Sequence, residues 1–411
     1  MATIPVDRPS RPGRSGRPIG LAAIIAGTGL ALVGWTGLLV PSLIRSIEGD
    51  FAQTDAAIGL FFFINATASV GGSMGGGVLT ERFGRRVVLP LGVGLLAAGL
   101  LGMAITPDWT VFLAMAIPFG LGLGAIDGGM NGLILDLYPA SRGRALNLLH
   151  LMYSLGALAS PLVVGRLVEG GTPWQALVAG TAVATAGLAV LLAIVRLPSG
   201  RHTAHMTPGV PAARPWLSLP LIALAVAIAC YVGAEIGVSD WLVRFLASAS
   251  IGLATAALAL FWACLALGRL VSAVLGDHYD HARFAAISAF VAAIALLAAA
   301  VVPSLPLSIV LFGVVGFAFG PVYPLIMAVG GDRYPARAAA VSGFLSGCAV
   351  IGAIIYPPVM GFVSVGAGLG AAMAGAAGLT LACAVVLGLF SRRSRDAVSQ
   401  AAVPAAPPSA G

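Results

Sequence analysis

Long apolar stretches alternate with short polar breaks along the whole chain. A helix needs about 20 apolar residues to cross a bilayer. Stretches of that kind fall at 19–43, 55–80, 87–105, 109–136, 144–168, 174–195, 217–246, 252–275, 284–302, 306–330, 338–363 and 367–390. The pattern predicts twelve spans. None alternates with the period of two that a barrel strand requires, so the spans are expected to be helices. The longest polar break, RLPSGRHTAHMTPGVPAARP over 196–215, divides them six and six. It is expected to be a cytoplasmic linker between halves at 19–195 and 216–391, with an N-terminal arm over 1–18 and a disordered tail over 392–411.

Composition narrows the class. Of the 411 residues, 59% are hydrophobic and 9% are charged, whereas a soluble domain carries roughly 25% charged residues. Soluble and disordered classes are excluded together, which leaves an all-α membrane protein. All 22 basic residues are arginine, and the net charge is +7. No basic run with interleaved aromatics appears, so nucleic acid is not an expected partner. With the N-terminus placed inside, 19 arginines fall on the inner side and three, Arg45, Arg166 and Arg244, on the outer side. The positive-inside rule then puts both termini in the cytoplasm. Short loops and an all-arginine basic set point to a bacterial inner membrane. The four cysteines lie inside spans at no metal-ligand spacing, so neither metal nor cofactor is expected.

The sequence also repeats itself at an offset of 196 residues. Gly120, Gly124, Asp136, Tyr138 and Pro139 match Gly316, Gly320, Asp332, Tyr334 and Pro335. Gly156, Pro161 and Gly165 match Gly352, Pro357 and Gly361, and Gly72 and Glu81 match Gly268 and Asp277. Two six-helix halves in parallel orientation follow, related by an axis along the membrane normal. Secondary transporters built this way rock their halves around a midplane site.

The loop after the second span reads Gly77-Val-Leu-Thr-Glu81-Arg82-Phe-Gly84-Arg85-Arg86. It resembles the signature loop of the major facilitator superfamily, Gly-x-x-x-Asp/Glu-Arg-x-Gly-Arg-Arg/Lys. The resemblance implies a major facilitator fold and a cytoplasmic gate network, to which Asp136 and Arg144 are added as candidates. Its second copy, Gly268 to Gly276-Asp277-His278, is degenerate. Within the superfamily, Tyr231-Val-Gly233-Ala234-Glu235 is similar to a run in the fucose and glucose/galactose proton-symporter branch. Asp127-Gly-Gly-Met-Asn131 resembles that branch's acidic-x-x-x-Asn motif. Leu146-Asn147-Leu148-Leu149-His150, followed by Tyr153-Ser154-Leu-Gly156, follows its fifth-span pattern, with His150 and Tyr153 in place of Gln and Asn. The branch also carries an acidic residue in its first span, and residues 18–43 hold none.

Two carboxylates lie within spans, Asp127 in the fourth and Glu235 in the seventh. An ionised carboxylate at membrane depth costs about 2.5–3.5 kcal/mol on insertion scales, so such a residue is a functional candidate by default. A carboxyl withdrawn from water also holds a proton to higher pH, which suits a proton-coupling site. The structural alternative is a hydrogen bond to a neighbouring helix. Asn131 lies one turn after Asp127 and His150 one turn before Tyr153, on shared helix faces. With Trp35, Asn65, Tyr231, Trp241, Trp262, Tyr323 and Tyr356 they are the candidate substrate contacts, although aromatics also serve as interface anchors. Trp109 and Trp174, at span starts, read as such anchors. Asp240 is placed to pair with Arg244, four residues on. No arginine is expected deep in a span.

No Walker loop, His-Glu-x-x-His or Cys-x-x-Cys occurs, and the one Gly-x-Ser-x-Gly match, Gly71 to Gly75, lies in an apolar helix. An enzyme is not expected. The reading is a monomeric secondary transporter in a lipid bilayer, coupled to protons, importing a sugar or similar neutral small solute. Sodium is the alternative coupling ion. An efflux antiporter for lipophilic or cationic compounds is the alternative function, and a non-transporting sensor with the same fold is a third.

Overall fold

The protein is described by a computed structural model covering residues 16–138, 142–195, 218–275 and 279–401. Apart from one 3-10 turn at Pro335–Arg337, every regular element among them is an α-helix. The first half holds α1 (Gly16–Phe51), α2 (Asp55–Phe83), α3 (Arg85–Ile105), α4 (Trp109–Leu137), α5 (Arg142–Glu169) and α6 (Trp174–Ile194). The second holds α7 (Leu219–Phe245), α8 (Ile251–Leu275), α9 (His281–Val301), α10 (Leu305–Phe319), α11 (Val322–Arg333) and α12 (Ala338–Ala401).

Eleven helical runs among the described residues are long and apolar enough to cross a bilayer. One of them, Leu305–Arg333, joins α10 and α11 across Gly320 and Pro321. Another, Val341–Arg392, is 52 residues long. At 1.5 Å per residue it would extend about 78 Å, more than twice a bilayer core of roughly 30 Å. It is not one straight helix. Gly368 leaves helical geometry at φ 80° and ψ 159°, a conformation open to a residue without Cβ. Gly171, at φ 88°, turns the chain between α5 and α6 at nearly the equivalent place in the first half. Helix α12 continues to Ala401, past residue 392 where a disordered tail was expected. The expected arm up to residue 15 and the whole of the linker lie outside the described residues.

Packing reproduces the sequence repeat. In the first half α2 packs on α4 and α1 on α5; in the second α8 packs on α10 and α7 on α12. A Cβ added at Gly72 would collide with the Leu121 carbonyl, and one at Gly268 with the Phe317 carbonyl. Gly120 meets the Asn65 carbonyl, and Gly316 meets that of Phe261. Gly124 meets Ser69, and Gly320 meets Leu265. Each of these partners is displaced by the same 196 residues as its glycine. Helices in lipid gain little from the hydrophobic effect on pairing, and small residues that let backbones touch take its place.

Two faces can be told apart. The basic face carries the α2–α3 turn with Arg82, Arg85 and Arg86, together with the C-terminal ends of α4 and α11. The opposite face carries the α1–α2 turn and the end of α7. On the latter, Phe51, Trp109, Phe112 and Trp174 form an aromatic cluster with ring centroids 5.3–6.0 Å apart. Trp174 is buried and donates its indole N–H to Asp50 Oδ2 at 2.6 Å. It therefore braces the first half from within, where an interface anchor was expected.

Candidate functional site

A cavity of about 170 Å³ lies between the halves. The first half lines it with Thr36 from α1, Phe62 and Asn65 from α2, Phe119 from α4 and Tyr153 from α5. The second contributes Ser239 and Asp240 from α7, Trp262 from α8 and Ala353 from α12. Trp262 donates its indole N–H to Ser239 Oγ at 2.9 Å, which fixes the ring plane. The Tyr153 ring meets Trp262 edge-on, with centroids 6.2 Å apart, and so bridges the halves.

Contacts between the halves gather at the opposite face. Arg244 Nε of α7 lies 2.6 Å from Glu48 Oε2 of α1 and 3.0 Å from Asp55 Oδ1 of α2. Ser364 of α12 donates to Asp55 Oδ2 at 2.6 Å, and Arg45 Nη1 donates to the Ala249 carbonyl at 2.9 Å. Gly59 packs on Pro358 and Gly165 on Thr255, closing α2 against α12 and α5 against α8. The expected Asp240–Arg244 pair is not formed. The Arg244 guanidinium reaches outward across the interface to the first half, while Asp240 turns into the cavity.

The two carboxylates singled out from the sequence stand differently. Asp127 is capped within its own helix: Asn131 Nδ2 donates to its Oδ1 at 3.1 Å and to its backbone carbonyl at 2.8 Å. Asn131 Oδ1 stays buried without a partner. His150, exposed on α5, lies close enough to Asp127 for their charges to interact. Glu235 is buried and faces Arg269 Nη2 of α8 at 3.4 Å. Arg269 bears on the expectation that no arginine lies deep in a span. It sits six residues before the end of α8, half-buried beside a carboxylate partner. The repeat held the signal, because an offset of 196 places Arg269 at Ser73, on the α2 face that meets α4.

The other candidates divide clearly. Asn65 lines the cavity, and its Oδ1 is buried without a partner. Tyr153 also lines it. Trp35 lies outside the described lining and donates to Thr181 Oγ1 of α6 at 3.2 Å. Tyr231 is fully buried, its hydroxyl donating to the Phe319 carbonyl at 3.0 Å. Tyr323 hydroxyl lies 3.4 Å from Ser346 Oγ, and Tyr356 hydroxyl donates to the Ala372 carbonyl at 2.8 Å. In these bonds Trp35, Tyr231, Tyr323 and Tyr356 tie helices together within one half. Trp262 lines the cavity, whereas buried Trp241 donates to the Pro357 carbonyl at 2.8 Å. Asp240 reaches the cavity without having been singled out as a site residue.

At the basic face Gly84, at φ 82°, ends α2 and starts α3 with no side-chain cap. That turn delivers buried Arg85 to Asp136 at the end of α4, where the two form an ion pair. Arg85 Nη1 is buried without a partner. Gly77 has open space around it, and Arg82 lies over the Phe83 ring at 5.4 Å. The side chains of Glu81 and Arg144 lie outside the described residues. The second copy was sought at 276–278, also outside them. Instead His281 Nδ1 lies 2.9 Å from Asp332 Oδ2, at the positions that follow Arg85 and Asp136 by 196 residues.

The Major Facilitator Superfamily pattern matches residues 19–246 and again 218–410, once for each half. A mouse protein named sodium-dependent glucose transporter 1A is 31% identical over 120 residues, which is 29% of this chain and 28% of that one. The match thus spans only about a quarter of the length of such relatives. The fold agrees with the crystal structure of a bacterial homolog of the human lysosomal transporter Spinster, in an inward-facing and occupied conformation. That agreement has a TM-score of 0.76 at 16% identity, over 92% of this chain and 98% of that one. A D-xylose–proton symporter aligns with a TM-score of 0.73 at 15% identity, over 91% and 98%. With the signature turn at Gly84, the duplicated halves and a pattern match that reaches from end to end, the chain belongs to the Major Facilitator Superfamily.

Proposed function

We propose that this membrane transporter is a proton-coupled secondary carrier that imports a sugar or similar neutral small solute by alternating access. The observation that carries the reading is the cavity itself, lined by both halves and sealed on one face by the Arg244–Glu48–Asp55 cluster. Two bodies that meet at such a cavity expose it to alternate sides when they rock. The α12 run counts as two crossings, separated at Gly368, which makes twelve. The excess of arginine on the basic face supports a topology with both termini in the cytoplasm of a bacterial inner membrane. On that reading the seal is extracellular.

Asp127 is the first choice for the coupling proton, because its neighbours are an amide and a histidine and not a permanent cation. Glu235 is the second, held by Arg269 until a proton or a movement of α8 releases it. Mixed hydroxyl and amide groups from Asn65, Tyr153 and Ser239 suit a hydroxylated solute. Similarity to proteins named as glucose and xylose transporters supports the sugar class. The test is uptake of labelled sugars into proteoliposomes under an imposed proton gradient, and separately a sodium gradient, with Asp127→Asn and Glu235→Gln alongside. Proton-driven accumulation abolished by Asp127→Asn, with exchange retained, is the expected result. A second reading, proton-coupled efflux of lipophilic cations, is favoured by the aromatic lining of Phe61, Phe62 and Phe119. It predicts proton movement triggered by such cations and no sugar uptake.

A further inference from the structure

Among the described residues, Asp240 is the carboxylate of the three with neither oxygen engaged by a protein donor. Asp127 already receives the Asn131 amide, and Glu235 faces Arg269. Arg244, one turn beyond Asp240, is committed to Glu48 and Asp55. Among the described residues Asp240 makes no hydrogen bond and no ion pair, and it lines the cavity between the halves. Across that cavity, on the other half, Asn65 Oδ1 is buried with no partner. Beside Asp240 the indole of Trp262 is held in a fixed plane by Ser239 and braced edge-on by Tyr153.

A carboxylate offers two acceptor oxygens and, when ionised, no proton. Leaving such a group unpaired inside a protein is costly, so the occupant it favours is one that supplies donors. Among the described residues no cationic side chain lines the cavity, which argues against an anionic occupant. Two adjacent hydroxyls on a ring present two O–H donors to the two oxygens, and the ring's C–H face packs against an indole.

We infer that Asp240 is a substrate-contacting residue, receiving a pair of neighbouring hydroxyls from a ring-shaped polyol seated against Trp262. This rests on the sugar reading above and names the part of the sugar that is read.

The experiment is equilibrium binding to the purified full-length protein in detergent, followed by tryptophan fluorescence. The probes are D-glucose, D-xylose, the monodeoxy-D-glucoses and tetraphenylphosphonium. Asp240→Asn should weaken binding of the preferred sugar on the order of 10- to 100-fold, the loss of hydrogen bonds to a charged acceptor. A deoxy analogue lacking one hydroxyl of the pair should bind wild type correspondingly less well. That analogue should gain nothing from Asp240 and so bind Asp240→Asn with little further loss. Asp240→Glu should recover part of the affinity, and the thermal midpoint of each variant separates misfolding from lost contact.

Sugar binding unchanged within twofold in Asp240→Asn overturns the inference and leaves the sugar reading standing. Equal losses for every analogue also overturn it, because then no particular hydroxyl pair is being read. Unchanged sugar affinity with proton coupling lost makes Asp240 a proton site and overturns it as well. If wild type binds none of the sugars, the inference and the sugar reading fall together. Tetraphenylphosphonium binding that depends on Asp240 would then promote the efflux alternative.

Discussion

His281 holds Asp332 at 2.9 Å at the start of α9, where the first half has an arginine. The two halves thus share one loop geometry on the basic face with different chemistry. Arg85 keeps its charge throughout the physiological range, whereas the His281–Asp332 link is an ion pair only while the imidazole is protonated.

Arg244 is the single cation that bridges Glu48 and Asp55 across the halves in the described contacts. Arg244→Ala should open that face. Removing a coupling contact of this kind shifts a two-state balance by on the order of 1–3 kcal/mol, about 5- to 150-fold. The check is the labelling rate of a cysteine placed at Ser364, with and without Arg244. An unchanged rate would mean that helix packing alone holds the seal.

Glu235 and Arg269 should behave as a unit. Arg269→Ala leaves a buried carboxylate without its partner, which costs about 3–5 kcal/mol in the buried limit and less here because Arg269 is 40% exposed. The double variant Glu235→Gln with Arg269→Gln should be more stable than Arg269→Ala alone. Thermal midpoints in detergent provide the comparison, and simple additivity would show that the two groups do not interact.

Glycines should differ by position. Gly72→Ala and Gly268→Ala each push a methyl group into a carbonyl, and overpacking of this kind costs about 1–3 kcal/mol. Gly75→Ala and Gly77→Ala meet open space and should be neutral or slightly stabilising through helix propensity. Midpoints that fall equally for all four would contradict the close-approach assignment.

Much of the architecture was legible because hydropathy and the 196-residue offset are collective signals. The offset also located the close contacts, since Gly120 and Gly316 are repeated for the same packing reason. The site was less legible. Tyr153 and Asn65 line the cavity, but Trp35, Tyr231 and Tyr356 resemble cavity residues in type and are bonded to neighbouring helices instead. A single sequence tells that an aromatic lies in a span, not which way its helix is turned. Asp240 was misplaced because a spacing of four favours a local pair, and the longer reach of Arg244 across the interface overrode it. Arg269 was missed because it stands near a span end, where an arginine ordinarily reads as an orientation signal.

The carbonyl-to-glycine contacts inside each half carry a final consequence. They leave no slack between α2 and α4 or between α8 and α10, so neither half has an internal joint there. The cavity side chains are consequently cargo mounted on two stiff levers, and exchanging them changes what is carried without rebuilding the machine that carries it.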